Sequence, residues 1–254
     1  LLGAVGAILL ARLWERGFST QISIGLALVC GLLSLTKLNG ILILVVITII
    51  VGIYAAKHHA LKQCFVLALM CFGVTALVAG WWYVRNVMLY GSPVPLDVHR
   101  SFVTSRALGF WEVLQQYWGH HVSYWGVFGL SNVVLSPQIY QIYAAGSWIA
   151  IVGVVVWIWR NTWRAQEVLT IPVLQGAMML WGTLYWTRTA PGPAGRLTYP
   201  GIGAISFLAA IGLLSLVPRR WHVYAVGVLS AGMAAIVFST PFTIIRPTYE
   251  RALL

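Results

Sequence analysis

Charge is scarce in this chain: 8% of its 254 residues are charged, and only five of those are acidic. A water-soluble domain carries roughly a quarter of its residues as Asp, Glu, Lys or Arg, so a fold with water on every side is excluded. The five carboxylates are Glu15, Asp97, Glu112, Glu167 and Glu250. None falls inside an apolar stretch that reads as a membrane span, which argues against a proton- or sodium-coupled carrier, since such carriers ordinarily hold an intramembrane carboxylate. Cysteine is nearly absent as well. Cys30, Cys64 and Cys71 all lie in apolar stretches and offer neither a disulfide framework nor spaced metal ligands, so they read as packing residues. The chain has no Walker-type glycine loop, no G-x-S-x-G elbow, no H-E-x-x-H and no Ser/His/Asp set that its topology would assemble. Internal repeats and matched pairs of broken helices, the marks of many secondary transporters, are missing too.

What remains is apolar: 60% of residues are hydrophobic, with a mean hydropathy of +0.85. Lipid is the solvent such a chain requires. A formal net charge of +11 would suit nucleic acid if the cations were clustered, but they stand in ones and twos between apolar segments, as in the loops of a polytopic protein. No nucleic-acid partner is expected.

About 20 apolar residues cross a hydrocarbon core of about 30 Å. That rule marks out about eight spans: Leu1 to Leu13, Ile22 to Leu35, Ile41 to Ala56, Cys64 to Tyr83, Ile142 to Trp159, Val168 to Trp186, Tyr199 to Val217 and His222 to Ser239. The first has no initiator Met, basic leader or cleavage site and reads as a truncated helix rather than a signal peptide. The expected fold is all-α: one polytopic transmembrane helix bundle over residues 1–254, with residues 84–141 as a long external loop inside it. The tail "TPFTIIRPTYERALL" reads as a linker on the external face.

Orientation follows from the short loops. Arg12 and Arg16, Lys57 and Lys62, Arg160 and Arg164, and Arg219 and Arg220 fall on one side if the spans alternate, and the positive-inside rule makes that side cytoplasmic. The chain is expected to be integral to the plasma (inner) membrane, with the long loop and the tail on the non-cytoplasmic side. Lys37, Arg85, Arg188 and Arg196 then lie at external span ends, where the rule disfavours cations. Each alone reads as an interface anchor. Together, beside glycine- and proline-rich turns, they are candidates for one lipid phosphate, gripped by Arg forks with Lys as a point charge.

The long loop carries its own signals. Phe110, Val113, Leu114 and Trp118 have nearly helical spacing, which predicts an amphipathic helix over about Gly109 to His120 lying on the membrane surface. Asp97 is a candidate general base, set against the ordinary turn chemistry of an Asp two residues after a Pro. His120 and His121 are adjacent in sequence, so they do not share a helical face as a metal pair would, and no metal site is expected.

Four stretches carry a resemblance: "LSLTKLNGILILV" (Leu33 to Val45), "GWWYVRNVMLYGSP" (Gly80 to Pro93), "YWGVFGLSNVVLSPQIY" (Tyr124 to Tyr140) and "GRLTYPGIGAISFLAAIGL" (Gly195 to Leu213). In order and spacing they resemble the C-terminal part of the membrane domain of GT-C glycosyltransferases, the phospholipid-carrier-dependent relatives of protein O-mannosyltransferases and aminoarabinose transferases. The likeness runs from about residue 20 to the tail. It implies an enzyme that moves a sugar from a polyprenyl-phosphate donor to an acceptor glycan, lipid or protein on the non-cytoplasmic face. Lys37 matches the Thr-Lys of the family pattern, Arg85 the Arg after its aromatic cluster, and Arg196 its Gly-Arg; with Arg188 they would hold the donor phosphate. In such enzymes the first external loop holds the acids that act as base or bind the acceptor or a metal. The catalytic acid is therefore expected upstream of residue 1, with any divalent cation belonging to the full-length enzyme and no cofactor in this part. The rival readings are a transporter or flippase for a lipid-linked anion and a non-catalytic membrane scaffold.

Overall fold

The computed structural model describes residues 1–36, 39–95, 106–129, 132–162, 167–190, 192 and 194–251, and it is all-α apart from one small hairpin. Helices cover all eight apolar segments. They are α1 (Leu2–Arg16), α2 (Thr20–Ser34), α3 (Asn39–Lys57), α4 (Leu61–Tyr90), α7 (Pro137–Arg160), α8 (Thr170–Thr189), α9 (Ile202–Ser215) and α10 (His222–Thr240). Between α4 and α7 lie α5 (Phe110–Gln115), α6 (Tyr117–Trp125) and the hairpin of β1 (Val127–Phe128) and β2 (Val133–Val134), which pairs Val127 with Val134. A 3-10 turn, Gly195–Gly201, leads into α9.

Among the described residues, five helical stretches are long and apolar enough to cross a membrane: Asn39–Lys57, Leu61–Tyr90, Pro137–Arg160, Gly195–Ser215 and Arg219–Glu250. The chain is therefore a membrane-embedded helical protein. At 1.5 Å per residue, the 15 residues of α1 and of α2 reach only about 22 Å. Helix α8 has the length, but Gln175, Thr183, Thr187 and Arg188 lower its hydropathy.

The chain forms two compact units. Unit 1 comprises Leu1–Leu114, Glu167–Gly192 and Leu197–Ile205; unit 2 comprises Gln115–Gln166, Pro193–Arg196 and Ser206–Leu254.

Unit 1 holds the apolar core: Leu10, Leu13, Leu26, Ile43, Ile50 and Met179 are all but fully buried. Lipid tails are as apolar as leucine, so close packing of small residues, more than a hydrophobic drive, holds such helices together. Helices α2 and α4 run parallel along one seam. Gly31 lies against Val74 and Val78, the Cys30 and Cys71 thiols meet, and the Tyr83 hydroxyl donates to Ser34 O at 2.8 Å. All three cysteines are free, and each lies in or against the apolar cluster. Helices α3 and α8 run antiparallel, with Leu42 against Gly182 near one end and Lys57 Nζ 3.0 Å from Glu167 Oε1 at the other. Helix α1 joins that second end through Trp14, whose Nε1 donates to Glu167 Oε2 at 3.4 Å.

In unit 2, α7 and α9 cross backbone to backbone at Gly153 and Gly212, where a Cβ on either glycine would strike a backbone carbonyl of the other helix. Ser215 Oγ donates to Gly153 O at 2.7 Å beside the crossing, and Arg160 Nη1 reaches Ser215 O at 3.2 Å.

Three details differ from the sequence expectation. Helix α4 runs to Tyr90 and stops at Gly91, whose φ of 70° needs a residue without Cβ, so Arg85 lies within the helix rather than closing it. The stretch "VRNVMLY" contains no breaker, and nothing in it stops the helix sooner. The expected amphipathic helix is split at Gln116, which serves as N-cap of α6 with φ −83° and ψ 8°; of its expected apolar face only Val113 is buried, while Phe110, Leu114 and Trp118 are exposed. The tail is helical to Arg251 instead of a linker: Pro241–Ile245 form a π-turn after α10 and lead into α11 (Arg246–Arg251). Pro247, which lacks an N–H and whose ring crowds the turn before it, follows directly on this widened turn.

Candidate functional site

The end of unit 1 away from Lys57 and Glu167 is where its candidate cations belong. Tyr83 binds the last turn of α2, which places the C-terminal turns of α4, and with them Arg85, at this end. Arg85 is exposed, and its guanidinium lies 5.2 Å from the centroid of the Trp82 ring, an i,i+3 cation–π contact that orients the planar fork. The contact of Gly182 with Leu42 brings the last turn of α8 to the same end, with Arg188 exposed on it. Asn39 opens α3 here and donates from Nδ2 to Leu197 O at 2.6 Å. Lys37 and Asp97 fall outside the described residues.

One cation at this end was missed by sequence reasoning. Arg106 donates from Nε and Nη2 to Thr187 O at 3.1 and 2.8 Å. Its backbone N–H bonds Thr189 O at 3.3 Å, and that of Leu108 bonds Arg188 O at 3.1 Å. Residues 106–108 thus run along the carbonyls that the end of α8 leaves open, where a guanidinium also complements the negative end of the helix dipole. Its partner is 81 residues away in sequence, so no local pattern announces it. Arg106→Ala is expected to lower stability by about 1 kcal/mol, a charged hydrogen bond discounted for partial exposure. Thermal unfolding in detergent would measure it, with Arg106→Lys recovering only part because lysine lacks the fork.

Arg196 belongs to unit 2 and is exposed. Its turn is fixed to α6: Gly195 N–H donates to Ser123 Oγ at 2.6 Å, and that hydroxyl donates to His120 O at 3.2 Å. Gly195 also sits against His120 O with no room for a Cβ, which explains the Gly before Arg196 by packing. His121 is buried, its Nε2 2.9 Å from Tyr140 O, with Trp118 stacked on its ring at 5.3 Å. Trp125 stacks on Tyr143 at 4.1 Å and 11°. Adjacent in sequence, His120 and His121 therefore do different work: the carbonyl of one positions the Arg196 turn, and the ring of the other joins α6 to α7.

Of the four candidate cations, the fold brings Arg85 and Arg188 to one end of unit 1 and puts Arg196 on a braced turn of unit 2. All three are exposed guanidiniums able to offer two parallel donors to an anionic oxygen pair. Neither protein-family models nor curated proteins nor solved structures yield a match to this chain.

Proposed function

We propose that this chain is part of a membrane glycosyltransferase that takes its sugar from a polyprenyl-phosphate donor and passes it to a glycan, lipid or protein acceptor on the non-cytoplasmic face of the plasma membrane. Within it, the end of unit 1 that carries Arg85 and Arg188 holds the donor phosphate. In this reading about eight helices span the bilayer, and α5 and α6 lie at the outer interface.

The observation that carries the proposal is the shared placement of Arg85 and Arg188. Residues 103 apart in sequence stand in the closing turns of two helices at one end of one unit, where the charge rule would leave few cations. A phosphate there replaces the hydration that two exposed guanidiniums lose near lipid. It would also receive charge as the glycosidic bond to the carrier breaks, which is the step such cations favour. The order of the four family-like stretches points to the same chemistry.

The test is binding of undecaprenyl phosphate to the purified chain, in wild type and in Arg85→Ala, Arg188→Ala and Arg196→Ala. A charged hydrogen bond is worth about 1.5–3 kcal/mol, so Arg85→Ala and Arg188→Ala should each weaken binding about ten-fold or more. Equal binding in wild type and in both unit 1 variants would sink the proposal and leave these arginines as interface anchors of a scaffold.

A further inference from the structure

At the opposite end of unit 1, where α1 meets α2, Leu9, Arg12, Arg16, Ser19, Gln21 and Ile22 line a cavity of about 300 Å³. Arg12 and Arg16 are one helical turn apart on α1, so their guanidiniums face the same way. Ile22 is buried and Leu9 half-buried, and Leu9 is held in place against Gly25 of α2. The site therefore has two charged walls and an apolar wall. Ser19 is already committed, accepting the Ile22 N–H at 3.3 Å as N-cap of α2, so the anion-seeking groups are the two arginines and not the helix start. Among the described residues Glu15, the carboxylate of the same turn, forms no ion pair with either arginine, but its charge leaves the turn with one net positive charge.

We infer that this cavity binds the headgroup of an anionic phosphodiester lipid. One net positive charge matches the single negative charge of a phosphodiester. Two guanidinium forks suit its pair of non-bridging oxygens, and the Leu9–Ile22 wall receives the start of an acyl chain, which a free phosphate has no use for. In the topology expected from hydropathy, the short turn of residues 17–19 between α1 and α2 falls at headgroup depth. This end of unit 1 also carries Lys57 and is the end expected to face the cytoplasm, whose leaflet is rich in anionic lipid. The site is separate from the proposed donor-phosphate site and stands or falls without it.

The test is native mass spectrometry of the purified chain with phosphatidylglycerol and, separately, phosphatidylcholine, for wild type and the double variant Arg12→Gln/Arg16→Gln. The expected result is about ten-fold weaker phosphatidylglycerol binding in the double variant, the loss of about one charged contact, with phosphatidylcholine binding unchanged. Circular dichroism on the same samples, and Arg12→Lys/Arg16→Lys with intermediate affinity, separate lost contacts from lost fold. Lys62→Gln removes a cation of the same expected face outside the cavity and should bind like wild type. Equal phosphatidylglycerol affinity in wild type and the Gln double variant would overturn the inference. So would an equal loss in Lys62→Gln, which would mean unspecific charge, or displacement of the lipid by millimolar inorganic phosphate, which would mean a free-anion site.

Discussion

Gly153→Leu is expected to cost unit 2 about 3 kcal/mol or more, at or above the upper range for overpacked sites. The Cβ position of residue 153 is already occupied by the backbone of Gly212, and Gly212 meets Ala150 O in the same way. Backbone on both sides cannot rotate out of the way as a side chain can. The helices must separate, and the bond from Ser215 Oγ to Gly153 O at 2.7 Å goes with the contact. A fall in the unfolding midpoint of roughly 10 °C in detergent would be the readout. The control lies on the same helix: a Cβ on Gly146 would meet nothing within 4 Å, so Gly146→Ala should be neutral or stabilising by about 0.5–1 kcal/mol, the helix-propensity gain of Ala over Gly. If both variants behave alike, the α7–α9 crossing is not the contact described.

Tyr140→Phe is expected to loosen the hairpin at a cost of about 2 kcal/mol, that of leaving buried backbone groups unpaired. The buried Tyr140 hydroxyl donates to Gly126 O at 2.5 Å and accepts from Leu135 N at 3.0 Å. Those two residues flank β1 and β2, so one oxygen closes the base of the hairpin, which on its own is too short to be stable. The bond from His121 Nε2 runs to the Tyr140 carbonyl and survives the change, so α6 should stay docked while exchange of the backbone amides of residues 127–128 and 133–135 speeds up. Tyr143→Phe preserves the stack on Trp125 and should leave the exchange rates as they are.

The legible part of the fold was the apolar content. Each of the eight stretches marked from hydropathy carries a helix, but the helices outrun the marked limits at Leu13, Ile22 and Ile142 to caps at Gly17, Ser19 and Ser136. Boundaries were less legible where composition shifted without a breaker. Helix α4 continues through "VRNVMLY" because nothing before Gly91 stops it, and the tail stays helical through a π-turn that precedes Pro247. Of the candidate site, Arg85, Arg188 and Arg196 were readable as candidates one residue at a time. Arg106 was not, because its acceptor is a carbonyl in another helix.

The sequence by itself determined that this is a helical protein of the membrane, because apolar content and the scarcity of charge decide the solvent before any contact forms. It also determined where the eight apolar helices lie, since in lipid each helix must satisfy its own backbone hydrogen bonds locally. Tertiary structure alone decided that Arg85 and Arg188 share an end of one unit, that Arg106 closes the end of α8, and that Gly153 and Gly212 are the point where two backbones touch. Those facts depend on which helix faces meet. Between uniformly apolar helices, hydropathy does not select the facing side; small residues and a few polar bonds do, and their partners lie far apart along the chain.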